Sequence, residues 1–310
     1  MTRGFITLAT GNKKYYKMAV NMLHSFRLHN PGIPMAILCD GENEYTAEFD
    51  RVVVLKKSHK DYRDKFSLLV ESPYDEAIFI EPDCLIYHNL DFFWDLLARE
   101  SDFSCFGWND GGIDCWFKTP ETKQRLLDIV PELNGKTDAP HFNPGYFFIR
   151  KSDKTQKMYN ECISIAERLK SDSVLKNNSA IFGGSNLRDD PIFNIAMATN
   201  SFICNEKPKA GKCISLPSKY KIDKIDLEKG RLDVTDKNGK QFTECSLLHF
   251  STRKAMEEGL YLWQCTLLKT LYPKKKSFLS ALINNKAAEI LFSAFRYVKT
   301  RIRWILKGQI

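Results

Sequence analysis

The chain has 310 residues, 43% of them hydrophobic, 12% aromatic and 27% charged, the composition of a globular protein with a sizeable core. No tract is long and apolar enough to span a bilayer, and MTRGFITLATGN, with one basic residue before a brief apolar run, does not read as a signal peptide. The net charge of +8 lies in the tail, because Lys274 to Ile310 carries nine basic residues against one acid, Glu289; residues 1–273 are therefore formally neutral, which argues against nucleic-acid binding.

Phe5 to Ala9 is a strand candidate closed by the turn Thr10-Gly11-Asn12. Residues 13–29 place Tyr16, Val20, Leu23 and Phe26 at helical spacing, and Asn30-Pro31-Gly32 stops that helix. MAILC (35–39) and VVVL (52–55) are two further strands, and a helical stretch over 61–71 leads into the apolar run Ala77 to Ile80. This strand–helix rhythm predicts an α/β fold with a mostly parallel central sheet flanked by helices. Ligands of such sheets gather outside the carboxyl ends of the strands, so the polar turns at Thr10, Asp40 and Glu81 are expected on one rim. FSCFGW (103–108) and GYFFIR (145–150) read as strands, and 153–169 and 190–199 as helices. Short strands are expected near 201–204 and 213–216, then a charged β-excursion over 219–242 and a core strand in CSLLHF (245–250). The domain expectation is a main body over 1–273 and a basic amphipathic helical tail over 274–310. In that tail Leu291, Phe295, Val298, Ile302 and Ile305 alternate with Arg296, Lys299, Arg303 and Lys307. A helix lying on an anionic membrane surface reads this way, as does one docked on the protein itself.

Nine cysteines are scattered without a CxxC pair, which fits reduced core thiols in a cytoplasmic protein rather than structural zinc. The sharpest local feature is the end of the run AIFI, where the chain enters Glu81-Pro82-Asp83. Pro82 cannot serve a central ladder, so the strand ends there and both carboxylates can turn to one side. Oxygen ligands of this kind suit Mg²⁺ or Mn²⁺, which clamp a diphosphate; the plain alternative is a solvated turn.

The segment KFSLLVESPYDEAIFIEPDCLIYHNLDFFWDLL (65–97) resembles the metal-binding segment of GT-A fold glycosyltransferases, most closely the family 8-like retaining enzymes of bacterial lipopolysaccharide and capsule synthesis. Four more pieces follow that family's order: FITLATGNKKYYKMAVNMLHSF (5–26), HFNPGYFFIR (141–150), RDDPIFN (188–194) and LLHFSTRKAM (247–256). The chain departs from the pattern at Glu81-Pro82, where the family has the first aspartate of D-x-D, at Asp190, where many members have glutamine, and in lacking a glycine after His249.

The resemblance implies a GT-A fold and metal-assisted transfer of a sugar, with retention, from a nucleotide-diphosphate donor to a glycan or glycolipid hydroxyl. UDP is the family's default nucleotide. It implies that Ala9 and Thr10 line the base pocket, with Tyr15 or Tyr16 stacking there, and that Lys65 reaches the sugar or a phosphate. Asp83 is implied as a metal ligand and His249 as another, the alternative for His249 being a hydrogen-bonded core residue. Glu81 takes either the metal or a ribose hydroxyl, and Arg253 or Lys254 the diphosphate. Asn143 and Gly145 form a tight turn beside the donor sugar, while Asp189 and Asp190 either steady developing charge on it or simply favour a helix start. The loop Trp108 to Gly112, with Trp116, is assigned to sugar contacts. Placement on the inner face of a membrane follows from the tail. A non-catalytic nucleotide-sugar-binding protein with a decayed metal site is the rival reading. A nucleotidyltransferase is expected to show a glycine-rich, basic phosphate loop after the first strand, where LATGNKK offers one glycine and two lysines, and no G-x-G-x-x-G of a dinucleotide enzyme follows that strand.

Overall fold

The structure is a computed structural model that describes residues 1–98, 101–108, 119–135, 140–173, 175, 181–183, 186–202, 204–206, 212–216, 220–251 and 259–271. In chain order the elements are β1 (Arg3–Ala9), α1 (Lys13–His29), β2 (Met35–Cys39), β3 (Arg51–Val54), α2 (Leu68–Glu71), β4 (Glu76–Ile80), β5 (Cys84–Ile86), α3 (Phe92–Leu97), β6 (Phe103–Trp108), α4 (Pro120–Ile129), β7 (His141–Arg150) and α5 (Asp153–Ser171). They continue with β8 (Phe182–Gly183), β9 (Asn186–Leu187), α6 (Asp189–Thr199), β10 (Asn205–Glu206), β11 (Cys213–Leu216), β12 (Lys221–Asp226), β13 (Arg231–Thr235), β14 (Gln241–Phe242), β15 (Leu247–Phe250) and α7 (Gly259–Leu271). The stretch expected as one helix over 61–71 is a 3₁₀ segment, Tyr62–Ser67, running into α2.

The described chain divides into two compact units, the first formed by 1–20, 32–82 and 90–209, the second by 21–31, 83–89 and 210 onward. The first is built on a seven-stranded sheet in the order β10-β6-β7-β4-β1-β2-β3. The pairs β3–β2, β2–β1, β1–β4 and β6–β10 are parallel, while β7 runs antiparallel to both its neighbours. The sheet is thus mixed, with helices packed on it. β2 and β4 bury every residue, the reading expected of strands covered on both faces. From β1 the chain winds one way through α1 to β2 and β3, whereas β4 joins β1 on its other side. The crevice at the carboxyl ends of β1 and β4 is therefore a topological switch point, where α/β sheets take their ligands.

Asn143 to Gly145, expected as a tight turn, is instead part of the continuous strand β7, which carries an irregularity. Cys105 pairs with Phe147 but Gly107 with Phe142, so Asn143 to Tyr146 is a bulge opposite Phe106. Pro144 suits a bulge because it has no amide to give the ladder. The bulge abuts the end of β4, where the Glu81 amide donates to the Gly145 carbonyl at 2.8 Å.

The first unit's core gathers around Phe193 of α6, whose ring centroid lies 5.0 Å from that of Phe66, 5.4 Å from Phe147, 6.0 Å from Phe103 and 6.1 Å from Phe142. α5 begins with a capping box, the Ser152 hydroxyl accepting from the Thr155 amide at 3.3 Å. The second unit holds a three-stranded sheet β11-β15-β5 and an antiparallel sheet β12-β13-β14, the charged excursion expected from the sequence. Its core includes Leu85, Tyr87, Leu247, Leu248, Phe250 and Tyr261, all buried. The buried hydroxyl of Ser25 accepts the Ile86 amide at 3.0 Å.

Candidate functional site

In the first unit, the turn after β1 is drawn onto the end of β2 by one carboxylate. Asp40 accepts the Gly11 amide at 3.1 Å and the Tyr16 hydroxyl, with the Lys60 ammonium 3.7 Å away. Burial alone would raise its pKa; the donors from Tyr16 and Gly11 and the nearby charge outweigh that and hold Asp40 below its ordinary value. Gly11 has φ of +75°, the left-handed region that admits glycine without strain. Tyr16 is thereby a core residue, its phenol pushed up by burial and then by Asp40. Tyr15, its neighbour, is 46% exposed and so is the aromatic with a face to offer. Ala9 is buried and Thr10 half-buried at the same strand end.

At the end of β4 three distant segments converge. The Lys65 ammonium bonds both Glu81 and Asp189, with 10%, 20% and 23% of the respective side chains exposed. Burial would lower the lysine pKa, but Asp189 and then Glu81 reverse that and raise it, fixing the charge. An isolated buried ammonium is costly, and two carboxylates around it form the compensated arrangement.

Asp189 and Asp190 open α6, whose N-cap, Arg188, makes no side-chain capping bond, so the acids serve the helix through charge alone. The Arg188 guanidinium grips Asp190 with two bonds, 2.9 and 2.6 Å. Burial pushes the Asp190 carboxyl up to about 6, against the pull of Arg188. One turn on, Asn194 is fully buried. Its amide accepts from the Phe142 amide at 3.0 Å and donates to the Phe142 carbonyl at 3.4 Å and the Asp190 carbonyl at 2.8 Å. Sequence reasoning did not single out Asn194, although a lone amide among Ile192, Phe193, Ile195 and Ala196 was its signal. It also missed Glu76, buried at the start of β4 between Arg3 and Arg150 at 2.5 and 2.9 Å.

In the second unit, Asp83, Cys84 and His249 place one ligand atom each within 4.8 Å of one another. His249 Nε2 lies 3.2 Å from Asp83 Oδ1, and Nδ1 lies 3.4 Å from the Ser215 hydroxyl. Two ligands at right angles on one ion, each at about 2.1 Å, stand about 3.0 Å apart, so this pair fits a divalent cation. The serine on the other ring nitrogen is the kind of partner that fixes a metal-binding imidazole. Glu81, expected to share the ion, has its carboxylate on Lys65.

Arg253, Lys254, the loop 109–112, Trp116 and the tail 274–310 lie outside the described residues, as does the side chain of Asn143. Among the described residues every cysteine is a free thiol, and no helix is long and apolar enough to cross a membrane.

No family profile and no curated protein matches the chain. Among solved structures it is similar to the glycosyltransferase GlyE of Streptococcus pneumoniae TIGR4, at 13% identity over 66% of this chain and a TM-score of 0.42. The matched region spans 46% of GlyE's length. It is also similar to the galactosyltransferase LgtC in complex with donor and acceptor sugar analogs, at 12% identity over 81% of this chain and 87% of that one, with a TM-score of 0.44. An active-site mutant of LgtC gives 14% identity, 87% and 98% coverage and a TM-score of 0.49.

Proposed function

We propose that the protein is a metal-dependent glycosyltransferase of the GT-A type, moving a sugar from a nucleotide-diphosphate donor, UDP-linked by preference, to a hydroxyl of a glycan or glycolipid. The observation that carries the reading is the convergence of Lys65, Glu81 and Asp189. Three segments that the sequence marks separately meet as a partly buried, charge-fixed group at a topological switch point. Two carboxylates held in place by one ammonium are preorganised to accept hydrogen bonds from a ligand rich in hydroxyls.

In this reading Ala9 and Thr10 border the base and Tyr15 stacks on it. Lys65 holds Glu81 and Asp189 in place for the donor's hydroxyls, and Asp189 or Asp190 faces the sugar, where a carboxylate favours positive charge developing at the anomeric carbon. Asn143 and Gly145, in the bulge beside Glu81, border the same sugar, and Arg253 or Lys254 meets the diphosphate. Asp83 and His249 would hold Mn²⁺ or Mg²⁺, which supplies charge neutralisation for the departing diphosphate. Transfer with retention, work at the inner face of a membrane through the basic tail, and the absence of a nucleic-acid partner complete the proposal.

Calorimetric titration of UDP into the protein with Mn²⁺ and with EDTA, repeated on Asp83→Asn, tests it. Metal-dependent binding lost in the variant is expected. Blank titrations across a panel of nucleotides would sink the proposal. The rival is a nucleotide-sugar-binding protein without turnover. The engagement of Glu81 by Lys65 favours it, because the metal then has one carboxylate from E-P-D instead of two. Metal-dependent binding without hydrolysis or transfer of any donor sugar would select it.

A further inference from the structure

His249 pairs with Cys84 across the antiparallel β15–β5 ladder and with Ser215 across the parallel β11–β15 ladder. Residues directly opposite in a ladder project to one face, so Ser215, His249 and Cys84 form a row across the sheet. Asp83 precedes β5 and escapes the strand's alternation, which lets its carboxylate reach the same row, 3.2 Å from the imidazole. The nucleotide-site reading uses Asp83 and His249; it gives Cys84 no part.

We propose that Cys84 is itself a ligand, making this a mixed oxygen, nitrogen and sulfur site that selects a borderline cation of the zinc class over magnesium. The inference rests on the metal site of the proposed function and names its cation class. The three ligand atoms lie within 4.8 Å of one another. Two ligands of one tetrahedral zinc-class ion, with sulfur at about 2.3 Å and nitrogen at about 2.1 Å, stand about 3.6 Å apart. A side-chain movement of about 1 Å, within reach of a χ1 rotation of Cys84, therefore closes the set.

Charge favours the same conclusion. Cys84 and His249 are almost wholly buried. Asp83 and a neutral His249 alone would leave a divalent cation with one uncompensated charge in a poorly solvated place. A Cys84 thiolate completes neutrality without a nucleotide. As the sulfur–metal bond forms, the S–H bond breaks and the proton passes to solvent, so binding releases one proton for the thiol and changes no oxidation state. Soft sulfur contributes little to magnesium, which prefers an octahedron of oxygens and keeps its waters.

The test titrates the full chain with Co²⁺, Zn²⁺ and Mg²⁺ in the absence of nucleotide. The expected result is one Co²⁺ per chain with a near-ultraviolet thiolate charge-transfer band, abolished by Zn²⁺ and untouched by excess Mg²⁺. Cys84→Ser should lose the band and weaken Zn²⁺ at least about tenfold while moving Mg²⁺ less than about twofold. Cys162→Ser, a substitution at another buried thiol, should keep the band. Circular dichroism of Cys84→Ser and Cys84→Ala guards against misfolding. Absence of Co²⁺ binding, Co²⁺ binding without the band, or a band that survives in Cys84→Ser would each overturn the inference. A band with blank titrations across the nucleotide panel keeps it and sinks the glycosyltransferase reading; metal-dependent nucleotide binding without a band does the reverse.

Discussion

Lys65 separates two carboxylates that would otherwise face each other, so its removal is expected to cost more than a surface ion pair would. Lys65→Met should destabilise the protein by about 3 to 5 kcal/mol in urea denaturation at neutral pH. Lys65→Met combined with Glu81→Gln should recover part of the loss. Asp190 makes a separate pH prediction. Its carboxyl ionises at about 6 in the folded chain against an ordinary 3.8. As pH rises through that interval the unfolded chain loses a proton the folded one keeps, so Asp190 contributes a falling stability. Asp190→Asn lacks this slope. Its stability relative to the parent should rise by about 2 to 3 kcal/mol between about pH 4 and pH 7 and level off above. A relative stability that stays flat would contradict the buried environment assigned to Asp190.

At the scale of elements, α6 is hydrogen-bonded to β7 through the Asn194 side-chain amide. Asn194→Leu keeps the volume but strands the Phe142 amide and carbonyl, and should cost about 2 to 3 kcal/mol by chemical denaturation. Most elements were legible because apolar runs such as MAILC and EAIFI are bounded by Gly, Pro and Asp. What the sequence hid was long-range. The antiparallel course of β7 depends on which strands flank it, and nothing within HFNPGYFFIR states that. HFNPG carries turn residues, yet β4 and β6 on either side keep it in the ladder as a bulge. Lys65 was recognisable as a candidate, but its partners stand 16 and 124 residues away. Cys84 passed for a core thiol because only the pairing with β15 puts it opposite His249.

Across the whole molecule, the boundary between compact units carries no linker signature, because the second unit is assembled from 21–31, 83–89 and 210 onward. A sequence scan expects a contiguous body over 1–273, which cannot display such a division. The charge is easier to read. The whole excess of +8 belongs to residues 274–310, so attraction to a membrane should be lost with a few tail charges. The full chain should sediment with vesicles containing phosphatidylglycerol and not with phosphatidylcholine alone, and less as salt rises. Arg296→Glu with Lys299→Glu and Arg303→Glu should abolish it while leaving UDP binding intact. Equal sedimentation of that triple variant would rule out the tail as the anchor.

The packing around Phe193 has a consequence for time as well as for energy. Its ring is wedged among four others on the helix turn that also bears Asp189, Asp190 and Asn194. In an interior this dense a phenyl ring turns over only when its surroundings briefly loosen. The flip rate of the Phe193 ring, read from its nuclear magnetic resonance line shape, therefore serves as an internal clock for how often the acid-bearing turn lets go. A ligand that settles on those acids should slow that clock without touching the ring.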